Sequence, residues 1–83
     1  MDVEETIKII SKQWCTVNDI IKLTGLSKSQ SYAVKHEIER QVEKNGKKLI
    51  RGLVPMKFVV DYFEIDLDYL ERVSNMYKNI KED

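Results

Sequence analysis

The sequence predicts one small, mainly α-helical domain with a single β-hairpin: a winged helix-turn-helix followed by an extra C-terminal helix. Three observations lead there. Apolar residues recur at helical spacing along most of the chain, cap and stop signals bracket two consecutive helices within residues 16–44, and residues 47–55 switch to short apolar pairs. Eighty-three residues allow one modest core. On this pattern residues 1–65 form the winged domain and residues 66–83 an amphipathic helix for packing or dimerisation.

Residues 3–13 place Val3, Ile7 and Ile10 on one helical face, with Glu4 and Glu5 in the first turn, where the helix dipole favours acids. This is a supporting helix. Trp14 is expected in the core, and Cys15, just ahead of a cap, is expected to act as a small staple against Ile20 rather than as a reactive thiol. Thr16 caps the next helix with Asp19 three residues on, and Val17, Ile20 and Ile21 share a face. That helix stops at Thr24, because Gly25 tolerates the left-handed conformation that ends helices. Leu26 drops into the core.

Ser27 with Gln30 forms a second capping box and starts a helix that runs to Lys44. At a hundred degrees per residue, Ser31, Val34, Ile38 and Val42 gather inward. Lys28, Ser29, Tyr32, Ala33, His36 and Arg40 gather on the other side. That outer row has cations and hydroxyls, and an alanine small enough to approach a thymine methyl, so it suits reading of base edges.

Asn45-Gly46 stops the helix, and Leu49-Ile50 and Leu53-Val54 read as two short strands with Gly52 in their turn. Lys47, Lys48 and Arg51 then lie at the tip and edges of a wing, within reach of phosphates. Pro55 suits the first position of a helix whose face is Met56, Val59, Val60 and Phe63, with Phe58 and Tyr62 beside it. Asp66 caps a last helix in which Leu67, Leu70, Val73, Tyr77 and Ile80 recur. This helix has two uses open to it: packing on the first helix, or pairing with its copy in a second subunit, the reading preferred here.

The formal net charge is zero, which excludes attachment to nucleic acid by bulk charge alone. Distribution matters more. Residues 28–51 carry seven Lys or Arg against three Glu, while residues 1–27 carry three basic and four acidic side chains and residues 52–83 four and seven. A lone cysteine removes any internal disulfide or cysteine zinc site, and with no membrane-length apolar run and an acidic N-terminus a cytoplasmic protein is expected. Catalysis is not expected. His36 is the only histidine, there is no glycine-rich phosphate loop, and Cys15 has no paired base. Asp61, Glu64, Asp66 and Asp68 lack the glycine and spacing of a calcium loop, so neither metal nor cofactor is expected.

Residues 16–38 followed by 46–63 resemble the small winged-helix DNA-binding domains of phages and other mobile elements, of the excisionase-like and MerR-like kinds. The resemblance covers about residues 14–65 and includes Leu53-Val54-Pro55 leading into a helix ending in Tyr62-Phe63. It implies that Lys28, Ser29, Tyr32 and Ala33 enter the major groove and that Lys47, Lys48 and Arg51 are the wing contacts. The second helix is longer than usual for these domains, and the acidic terminal helix is additional. The resemblance implies sequence-specific double-stranded DNA binding, either as an excisionase-like factor in DNA recombination or as a transcription regulator. Partners would be DNA, an integrase or a second copy of the chain. A second reading is a protein-interaction module that binds a repressor or integrase through the acidic C-terminal helix.

Overall fold

The computed structural model describes residues 3–81. Among these residues the chain is mainly helical, with five helices and one two-stranded antiparallel sheet, in the order α1 (Val3–Ile10), β1 (Trp14–Cys15), α2 (Val17–Thr24), α3 (Lys28–Lys44), β2 (Val54–Pro55), α4 (Met56–Tyr62) and α5 (Leu67–Lys81).

Local chemistry sets the boundaries of α2 and α3. At the start of α2 the Thr16 hydroxyl accepts from the Asp19 N–H and the Asp19 carboxylate accepts from the Thr16 N–H, each at 3.1 Å. Two N–H groups that the helix leaves unpaired are thereby satisfied. Gly25 ends α2 at φ 74, and its N–H donates to the Ile21 carbonyl at 2.8 Å. A side chain there would carry the left-handed strain that glycine avoids. Two residues later Ser27 and Gln30 repeat the reciprocal cap on α3, at 3.1 and 3.3 Å. Leu26, expected in the core, is only half-buried.

The core gathers Ile9, Cys15, Ile20, Ile38, Val42, Val54, Met56 and Val59, with Val34, Phe58, Val60, Tyr62 and Phe63 packed around it. The inward row expected of α3 is found there: Ser31, Ile38 and Val42 are fully buried and Val34 half-buried. Lys35 is a surprise beside it, buried on the flank of that row with its ammonium 3.7 Å from Glu39.

Four further expectations need correction. The first helix ends at Ile10, and its buried residue is Ile9, while Val3, Ile7 and Ile10 are only partly covered. The reason is that α1 lies between two neighbours, α2 and α5, and so needs two apolar faces. Trp14 is half-buried, and with Cys15 it forms a strand, Trp14 opposite Pro55 and Cys15 opposite Val54. The hairpin shrinks accordingly. Ile50 and Leu53 make a single bridge around a turn in which Gly52 sits at φ 79, and Val54 leaves it to pair with Cys15. Pro55 belongs to the strand and precedes α4, which begins at Met56, whose N–H donates to the Gln13 carbonyl at 2.9 Å.

Asp66 accepts from the Tyr69 N–H at 3.0 Å, the expected cap of α5. This helix packs against α1. Leu67 is half-exposed, Leu70 and Val73 are partly covered, and Ser74 is buried, while the side chains of Tyr77 and Ile80 lie outside the described residues. Tyr69 and Met76, on the opposite side of the helix, are the more exposed large apolar groups.

Candidate nucleic-acid interface

The α2 and α3 helices are joined by the three residues 25–27, so the position of α3 is fixed at its start by the cap and along its length by the buried row. What remains outside is the row singled out from sequence. Lys28, Ser29, Tyr32, Ala33, His36 and Arg40 are all exposed, Tyr32 to 41%. They occupy three turns of one face, with Lys28 and Ser29 at the helix N-terminus, where the dipole favours anions.

The turn cations Lys47, Lys48 and Arg51 are exposed as well, but they adjoin the far end of α3, about 25 Å along the axis from Lys28. Lys47 is steered. Its ammonium lies 5.5 Å from the centroid of the Phe58 ring on α4, near enough for a cation–π contact. Ile50 stands 46% exposed in the same turn, between Lys48 and Arg51. The sequence predicts it in a strand, whereas here it belongs to a turn closed by the single Ile50–Leu53 bridge.

Two of the three carboxylates on α3 are engaged. Glu39 meets Lys35 and His36, the latter at 2.9 Å, and Glu37 accepts from the Tyr62 hydroxyl at 2.9 Å. That bond to Glu37 is the main reason the Tyr62 hydroxyl is held above its ordinary range, with burial and the Glu37 charge adding to it. Glu43 is exposed and falls on the outer face by helical period, where it opposes the cations. The spacing of His36 to Glu39 and of Lys35 to Glu39 was visible in the sequence as i, i+3 and i, i+4 pairs. The Tyr62 bond was not, since it joins α4 to α3.

Cys15 is fully buried, and burial, helped by the charge of Asp19 and opposed by Lys12, pushes its thiol up to about 12. Such a thiol stays protonated and inert. Among the described residues no group of three or more His, Cys, Asp or Glu is arranged to hold a metal ion, and no helix is long and apolar enough to cross a membrane. A cleft of about 510 Å³ lies between α1 and α5 and is lined by Ile7, Ile10, Leu67, Leu70 and Ser74. None of the exposed row of α3 borders it.

The chain is therefore a mainly helical fold with a two-stranded antiparallel sheet in which α3 presents an exposed, cation-bearing face. Comparison of the chain with family models, curated proteins and solved structures finds no match.

Proposed function

We propose that the chain binds double-stranded DNA sequence-specifically, with α2 and α3 as a helix-turn-helix and the outer row of α3 in the major groove. The observation that carries this is the two-sidedness of α3: one row is sealed in the core while the opposite row is exposed along three turns. In the proposed complex Ser29, Tyr32, Ala33 and His36 address base edges, Lys28 and Arg40 flank them, and Lys47, Lys48 and Arg51 rest on phosphates. The biological role on this reading is that of an excisionase-like factor or a transcription regulator of a phage or mobile element.

The test is selection from a pool of random duplexes at two salt concentrations, with a Lys28→Ala/Tyr32→Ala double variant alongside. Both side chains are exposed, so the variant keeps its fold. One enriched motif, lost in the variant, is the expected result. An identical motif from the variant would show that this face does not read DNA.

A second reading is favoured by Tyr69 and Met76, exposed to 58% and 63% on α5. Together with the acids Asp66, Asp68 and Glu71 they suit a protein partner, such as a repressor or integrase. Absence of any enriched motif at either salt concentration would move the assignment to this reading.

A further inference from the structure

His36 lies one turn beyond Tyr32 and one turn before Arg40 on the outer face of α3, and its side chain is 65% exposed. Its Nδ1 is 2.9 Å from Oε1 of Glu39, while Oε2 of the same carboxylate is 3.7 Å from Nζ of the buried Lys35. Glu39 is itself largely covered, so its carboxylate is held from both sides. An ionised carboxylate only accepts hydrogen bonds, so the ring nitrogen facing it carries the proton. In the neutral ring the lone pair is then on Nε2, across the imidazole from Glu39. Uptake of a proton turns Nε2 into an N–H donor. In the major groove these two states require opposite partners: the acceptor takes the amino group of adenine or cytosine, and the donor addresses N7 or O6 of guanine, N7 of adenine or O4 of thymine, guanine alone offering two adjacent acceptors.

We infer that His36, held by Glu39 as the Nδ1–H tautomer, selects the base at one position of the bound site. The preference passes from a base addressed through its amino group, adenine or cytosine, to one addressed through an acceptor, guanine with its two acceptors foremost, as the ring becomes protonated. This rests on α3 being the DNA-reading helix. Glu39 is the positioning residue, Tyr32 and Arg40 are the neighbours of His36 one turn either way, and among the described residues no group of another element is bonded to the ring.

The experiment has two arms. His36 is the only histidine of the chain, so the imidazole nitrogens give one unambiguous set of signals in a long-range proton–nitrogen correlation spectrum. The free wild-type chain at about pH 8 should show the Nδ1–H tautomer, and Glu39→Gln should shift the mixture toward Nε2–H. A predominantly Nε2–H ring in the wild type overturns the inference without any DNA present.

The second arm is duplex selection at about pH 5.5 and about pH 8, which bracket the range where histidines ordinarily titrate. At one position of the motif the wild type should change its preference by about five- to tenfold between the two conditions. His36→Gln, which cannot take up a proton, should lose that dependence, and a dependence that survives in this variant overturns the role of His36. A wild-type motif identical at both conditions overturns the role of His36 and leaves the DNA-binding reading intact. No enriched motif at either condition overturns both.

Discussion

Ser31 shows what a single atom can cost in a chain this short. It sits on the inward row of α3 among Ile38, Val42 and their neighbours, fully buried, and its hydroxyl has no hydrogen-bond partner. A buried polar group without a partner loses its water and gains nothing in return. Ser31→Ala removes the hydroxyl, suits the helix better, and leaves a cavity no larger than one oxygen. The expected outcome is a gain of about 1 kcal/mol, read as a higher urea midpoint at unchanged slope. Lys35, on the flank of the same row, is buried along its stem with its ammonium turned toward Glu39. Long cationic side chains bury an apolar stem readily while the charged end finds a partner, so residue type alone does not place Lys35.

At the scale of elements, Asp19 combines a cap with an ion pair. Burial would raise its carboxyl, but the Thr16 N–H and the Lys12 ammonium, 3.0 Å away, outweigh burial and hold it below the usual carboxylate range. A carboxyl depressed by folding contributes stability that is complete above its unfolded value, about 4, and is lost as pH falls through the folded one. Asp19→Asn should therefore be less stable than the wild type at neutral pH by about 1–2 kcal/mol. The gap should close as pH falls below about 4, as urea titrations across that range would show. The caps of α2 and α3 and the stop at Gly25 were legible in the sequence because each is written within four residues. The sheet was not: two strands of two residues each, far apart in the chain, carry no periodicity to read. The outer row of α3 was legible for the same reason as its inner row, whereas the packing of α5 needed to know that α1 would offer Ile7 and Ile10.

At the scale of the whole molecule, zero net charge combined with a basic middle segment sets the salt response of the proposed DNA complex. Replacing Lys48 or Arg51 by alanine should weaken binding by a similar factor on every duplex and flatten the log–log salt dependence by about 0.9 for each phosphate contact removed. Equilibrium binding at four or five salt concentrations measures this, and a sequence-selective loss would reassign these residues from phosphate to base. The elongated outline, 47 × 26 × 18 Å, leaves α5 at the periphery against α1 alone among the helices it substantially touches. The pairing of Trp14–Cys15 with Val54–Pro55 clasps the two ends of the intervening chain, so α2, α3 and the 46–53 turn form a closed ring. Outside that clasp, α5 rests on α1, which itself packs on α2 and buries Ile9 in the core. α5 can loosen while the ring and α1 stay shut, so its amide protons exchange earlier, and α3, sealed along its inner row, is the last of the described elements to come undone.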